Sequence, residues 1–241
     1  MALRLQFSGA TDIGCERKEN QDRFLIDTEH GLAAVADGMG GLPHGAEAAQ
    51  CAIDALKRRL ERQIPGDHAA WLRLLDTVGQ DVFALGLELS RSLGIGTTLT
   101  VIHAHTDTLT LAHVGDSALL RLRGGSLEQL SAEHTVAAEL REEARHGRPQ
   151  LRPFAAEHML TSCLGLPFLP RKDVRDFDLR PGDRLVLCSD GLTKPVELSE
   201  ITTALERASS PEDAAAQLID LANRNGGPDN VTVVVLFAGA E

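Results

Sequence analysis

Basic residues are scarce in this chain. There are 24 lysines and arginines against 35 aspartates and glutamates, for a formal net charge of −11. No basic stripe stands out, which argues against a partner recognised through nucleic-acid phosphates and against docking on an anionic membrane. Bound divalent cations would offset part of the negative excess. Paired cysteines are also missing: Cys15, Cys51, Cys163 and Cys188 form no C-x-x-C pair and stand at no zinc-type spacing from histidines. Cys188, inside the apolar run LVLCS, reads as a buried small hydrophobe. Such thiols point to a reducing compartment. No apolar stretch approaches the length of a membrane span, and MALRLQFSGATD has no apolar core of signal-peptide type. A cytoplasmic protein is the expectation.

Several catalytic devices are absent as well. A thiolate phosphate cradle needs C-x₅-R, but Gln21, Lys57, Leu169 and Lys194 stand six residues beyond the cysteines. A D-x-D-x-T motif fails at Asp176-Phe177-Asp178-Leu179-Arg180 for want of the threonine. There is no glycine-lysine dipeptide for a P-loop and no G-x-S-x-G elbow. What is present is ordinary for a folded protein, with 43% hydrophobic and 24% charged residues, so disorder is excluded.

The order of elements is informative. Strands are predicted at residues 3–9, 23–28 and 31–36. A helix follows from His44 to Arg62, with Ala49, Ile53, Leu56 and Leu60 on one face. A second helix over 68–92 carries Trp71, Leu74, Leu75, Val78 and Val82 at helical spacing and stops at Gly94-Ile95-Gly96. GTTLTVIHAHT and TLTLAHVGDSALLRLRGG read as two strands joined by a Thr106-Asp107 hairpin, and the chain then turns at Gly124-Gly125 into SLEQLS. Residues 134–147 read as a helix and residues 148–170 as an irregular flap with four prolines. DRLVLCSD, two helices within 197–225 and the strand NVTVVVLF complete the chain. LVLC and VTVVVLF are apolar on both faces and must be covered on both sides. Connections too short for parallel crossovers favour antiparallel pairing. The expected fold is therefore α+β: a four-layer αββα sandwich, with two antiparallel sheets between helix pairs. No repeat or linker divides it, so 1–241 is expected to form one domain, with a flap at about 133–170.

Four aspartates lie in turn-like settings beside these apolar strands: Asp37 in VADGMGG, Asp116 in HVGDS, Asp190 in LCSDG and Asp229 in GGPDN. One Asp-Gly is only a turn signal. Four acidic turns at the ends of buried strands suggest convergent carboxylates, which suit hard cations such as Mg²⁺ or Mn²⁺. In TDIGCERKENQD, Arg17 offers a planar fork suited to phosphate oxygens. Gly38 has no Cβ to block close approach of its backbone.

These strings share one order. TDIG…R…NQD, VADGMGG, GTTLT, HVGDSALLRL, SAEHT, LTSCLG, LCSDGL and PDNVTVVV run from Thr11 to Leu236. Together they resemble the metal-dependent serine/threonine protein phosphatases of the type 2C family in their bacterial form. The resemblance implies two Mn²⁺ or Mg²⁺ ions sharing a bridging water, with a third ion in many members. It implies that Asp37 bridges both ions, that the Gly38 carbonyl binds one, and that Asp190 and Asp229 hold the other. Asp22 is implied as an outer or water-mediated contact, Asp116 with Asp190 as the third-ion position, and Arg17 as the grip on substrate phosphate. Asn230 is implied to brace the turn at Asp229. The implied partners are phosphoprotein substrates and a cognate eukaryotic-like Ser/Thr kinase, and the protein is expected to be a monomer.

Three positions and one segment depart from the family pattern. Gln21 replaces a frequent glutamate, removing a charge near the second ion. Met39 stands where eukaryotic relatives carry a histidine proposed as general acid, with His44 close by in sequence. Lys194 replaces a frequent acidic ligand of the third ion, and the flap has its own sequence. A catalytically dead module that binds phosphoproteins is the competing class, disfavoured by the joint presence of Arg17, Asp37, Asp190 and Asp229. A sporulation-type phosphatase with one dedicated partner usually carries sensor domains, for which this chain has no room.

Overall fold

The computed structural model describes residues 3–39, 42–90, 94–146 and 159–240. Two five-stranded antiparallel sheets form its centre. One has the order β1 (Leu3–Asp12), β10 (Val231–Ala240), β9 (Arg184–Cys188), β6 (Ala118–Arg123), β7 (Ser126–Gln129). The other runs β2 (Asp22–Asp27), β3 (Leu32–Asp37), β4 (Leu99–His105), β5 (Thr108–Val114), β8 (Asp173–Asp178).

Three apolar cores separate four layers, as strand alternation requires when both faces of a sheet are covered. In β3, Ala33 and Val35 face the space between the sheets, where they meet Ile102, Leu109, Leu187 and Val234. Leu32, Ala34 and Ala36 face the other way, onto α1 (Gly45–Leu60) and α2 (His68–Leu89), packing with Ala52, Leu56 and Leu75. In β10, Val234 and Leu236 point between the sheets. Val231, Val233 and Val235 point onto the layer of α5 (Leu198–Arg207) and α6 (Pro211–Arg224) with Ile201, Leu205 and Leu218. The sandwich expected from the apolar runs is the one observed.

The helices start at recognisable caps. The Asp67 carboxylate accepts from Ala70 N at 2.7 Å ahead of α2. Ser210 caps α6 with Pro211 in its first turn. The helix expected over 134–147 is α3 (Val136–Arg145), with Thr135 Oγ1 accepting from Ala138 N.

Two readings needed correction. TLTLAHVGDSALLRLRGG is not one strand. β5 ends at Val114 and β6 begins at Ala118, and the intervening turn carries the chain from one sheet to the other. Apolar runs flank Gly115-Asp116-Ser117 on both sides, and periodicity alone does not say that the two runs belong to different sheets. β8 was not expected at all. It is an edge strand of sequence DVRDFD, half-exposed and mostly charged, that pairs with β5 from Thr108↔Asp178 to His113↔Asp173. Residues 147–158 of the expected flap, Gly40 and Gly41 of the glycine-rich turn, and the expected end of the second helix at 91–92 lie outside the described residues.

Candidate active site

Antiparallel pairing brings the acidic turns to one end of the sandwich. Asp22 opens β2, Asp37 closes β3, and the two are register partners. Asp190 follows the end of β9, while Asp229 precedes β10, and these strands pair side by side. Asp116 sits in the turn where the chain crosses between sheets. Asp37, Asp116 and Asp190 each present an oxygen such that all three lie within 4.8 Å of one another.

Such a cluster is electrostatically unfavourable by itself. Burial, followed by the charges of Asp22, Asp190, Asp116 and Asp229, pushes the Asp37 carboxyl well above its ordinary range. Burial, with Asp190 as the largest added charge effect, raises Asp116 to about 7, and Lys194 offsets part of this. Asp22 rises to about 6 through burial, although hydrogen bonds from Ser189 and Thr232 oppose the shift. Anionic oxygens that burial and mutual repulsion destabilise form a hard donor set suited to divalent cations. The residues present therefore fit Mg²⁺ or Mn²⁺.

The carboxylates are held from behind. Thr98 Oγ1 accepts from Asp37 N at 3.0 Å, while Thr98 N and Thr97 Oγ1 both donate to the Asp37 carbonyl at 2.9 Å. Ser189 Oγ donates to Asp22 Oδ2 at 2.7 Å and accepts from Thr232 N at 3.0 Å. That buried serine ties β9 and β10 to β2 across the sheet interface. These supports had no role in the sequence reading. Their signal was the placement of small hydroxyl residues next to the acidic ones, in GTTLT and LCSDG.

Close backbone approaches explain two glycines. A Cβ on Gly38 would lie 2.2 Å from Gly45 O, and one on Gly191 would lie 1.9 Å from Asn230 O. Neither position admits a side chain without moving main chain. Gly38 N also donates to Gln21 O at 3.2 Å, which fastens the end of β3 to the segment before β2.

Asn230 does more than brace its own turn. Its Oδ1 accepts from Gln21 N at 2.9 Å, and its Nδ2 donates to Ile13 O and Glu19 O, both at 2.9 Å. The loop 13–21 that carries Arg17 is thereby fastened beside Asp229. Arg17 Nη2 donates to Asp229 Oδ2 at 2.8 Å, with the arginine side chain 41% exposed. The guanidinium thus reaches the cluster while still open to solvent.

The departing residues also have definite places. Lys194 forms an ion pair with Asp190. His44, in left-handed conformation at the start of α1, engages Glu47 at 3.0 Å rather than a site carboxylate. Gln21 Nε2 donates to Glu19 Oε2 at 3.4 Å, and Met39 N donates to Gly96 O at 3.0 Å.

The protein phosphatase 2C family pattern matches residues 16–223. The serine/threonine protein phosphatase PstP of Mycobacterium tuberculosis is 37% identical over 242 residues, covering 98% of this chain but 45% of that protein. This chain thus spans about half the length of that curated relative. A crystal structure of the PstP catalytic domain with two manganese ions is 36% identical, with a TM-score of 0.82, covering 99% of this chain and 100% of the other. The serine/threonine phosphatase of S. agalactiae is 29% identical with a TM-score of 0.86, over 97% and 99% of the two chains. Similarity of this extent, on a sandwich whose one end gathers the acidic turns, shows that the chain belongs to the protein phosphatase 2C family.

Proposed function

We propose that this chain is a metal-dependent hydrolase of phosphoserine and phosphothreonine in proteins, using two Mn²⁺ or Mg²⁺ ions. The observation that carries the reading is the convergence of Asp37, Asp116 and Asp190 within 4.8 Å. Asp37, the Gly38 carbonyl, Asp190 and Asp229 would hold the ions, and Asp22 would act through water. Two bound ions would supply an acidified water as nucleophile and neutralise phosphate charge.

The protein's own part is placement. Arg17 binds the phosphoryl group and stabilises its charge in the transition state. This requires the guanidinium to leave or share Asp229, a movement its exposed position permits. Asn230 keeps the Arg17 loop in register with the carboxylates. Thr98 and Ser189 hold Asp37 and Asp22 so that little reorganisation accompanies reaction.

The proposal extends to context. Residues 1–241 act as one phosphatase domain with a flap at about 133–170. The protein works as a cytoplasmic monomer in signalling and opposes a Ser/Thr kinase. No helix among the described residues is long and apolar enough to cross a membrane. The test is hydrolysis of p-nitrophenyl phosphate and of a phosphothreonine peptide with Mn²⁺. Activity that disappears in EDTA and in Asp37→Asn and Asp229→Asn is expected. Near-parental rates in either variant would overturn the mechanism, and binding of phosphopeptide without turnover would favour the binding module.

A further inference from the structure

Lys194 lies one helical turn beyond Asp190, at the end of the short helix α4 (Asp190–Thr193). Its amide donates to Asp190 O at 2.9 Å, continuing the helical pattern. An i,i+4 spacing sets the lysine stem over the aspartate, and Nζ pairs with Asp190 Oδ2. The Asp190 side chain is 13% exposed and the Lys194 side chain 34%, so the carboxylate is sheltered while the ammonium keeps access to water. Asp116 and Asp37 are the next carboxylates to act on this ammonium. They are also the two that converge with Asp190. One covalently tethered positive charge is therefore built into the three-carboxylate set itself.

A fixed ammonium in that position has two physical consequences. It neutralises part of a half-buried like-charge cluster before any metal arrives. It also repels a divalent ion from the oxygens it holds, at contact range and so well inside a Debye length.

We propose that Lys194 is the resident counter-cation of the cluster: its ammonium occupies the Asp190–Asp116 side, bars a further divalent ion there, and limits the site to two. This rests on reading the cluster as a two-cation site. Lys194 is a positioning residue, acting through Asp190 and Asp116.

The test counts Mn²⁺ bound at saturation by equilibrium dialysis of the full chain, with free ion read by electron paramagnetic resonance. Two ions are expected for the parent protein and three for Lys194→Asp, which replaces the ammonium with a ligand. Lys194→Met removes the charge without adding a ligand. It is expected to melt lower than the parent in EDTA and to gain more in melting temperature on adding Mn²⁺. Three ions in the parent, an unchanged count in folded Lys194→Asp, or an unchanged Mn²⁺ gain in Lys194→Met would each overturn the proposal. A parent that binds no Mn²⁺ and hydrolyses no p-nitrophenyl phosphate would instead bring down the two-metal reading, and this proposal with it.

Discussion

At one end of β9, Asp183 is enclosed and fully answered. Arg123 Nε and Nη2 donate to its two oxygens, each at 2.6 Å, and Arg180 N adds a third bond at 2.8 Å. Its side chain is 0% exposed. At the other end of the same strand, Asp190 meets Asp37 and Asp116, with Asp22 and Asp229 close enough to perturb the group. Both regions bury carboxylates, but only the first matches each charge with a planar donor fork. A buried carboxylate with a bidentate arginine is part of the architecture. Buried carboxylates facing one another are stable only when something else supplies charge, and that requirement marks the functional end.

The sharpest way to break this comparison is to neutralise one member at each end. Asp37→Asn should lower Mn²⁺-dependent kcat/KM on a phosphothreonine peptide by on the order of 10³-fold, since metal-derived stabilisation is worth several kcal/mol. Its melting temperature in EDTA should not fall, because the change removes a repelling charge. A lower melting point with full activity would invert the two regions. Asp183→Ala should do the opposite. It should lose about 2–4 kcal/mol in urea unfolding, somewhat below a fully buried pair because Arg123 keeps partial access to water, while the Mn²⁺ count stays that of the parent.

A smaller effect is expected for Asn230→Ala, which releases the 13–21 loop but leaves every carboxylate in place. A loss of roughly 10–100-fold in kcat/KM is the usual scale for outer supports of a metal site. A drop confined to phosphopeptide turnover, with Mn²⁺ binding unchanged, would locate the fault in the Arg17 loop.

The smallest effect is a pH dependence of the metal-free protein. Asp37, Asp22 and Asp116 all titrate higher in the folded state than their ordinary 3.8, the last two at about 6 and about 7. Between 3.8 and those values these three groups bind more protons in the folded chain than in the unfolded one, so their contribution to stability falls as pH rises. Buried His113, held down to about 4, works the other way below its ordinary 6.5, so the readout is a difference: from about pH 4 to about pH 7.5 the melting temperature of the parent in EDTA should decline by a few degrees relative to that of Asp37→Asn, and Mn²⁺ protection should be larger at the upper end. Parent and Asp37→Asn curves that run parallel over this range would show that the cluster is already neutralised by some other means.

Much of this was legible in the chain. The double-faced apolar runs around Leu187 and Val234 could only be central strands, and that led to the sandwich. The acidic turns, in their order with Arg17, led to the phosphatase family. β8 escaped because an edge strand needs only one paired side, so DVRDFD carries little apolar signal. The break at Asp116 escaped because Val114 and Ala118 are both core residues, although they sit in different sheets. Ser189 and Thr98 escaped because a hydroxyl's partner can be far away in sequence: Ser189 supports Asp22 from 167 positions on.

The amino-acid sequence by itself determined which strands are buried, where the carboxylates stand relative to strand ends, and how many charges must be reconciled. It did so because strand periodicity and turn chemistry are local. Only the tertiary structure decided which carboxylates face one another, that Asp183 is answered by Arg123 while Asp190 turns to the cluster, and that Lys194 joins that cluster. Those outcomes depend on distances of a few ångströms between residues brought together by sheet register, and at that range Coulomb energies and desolvation outweigh any preference written into a short segment.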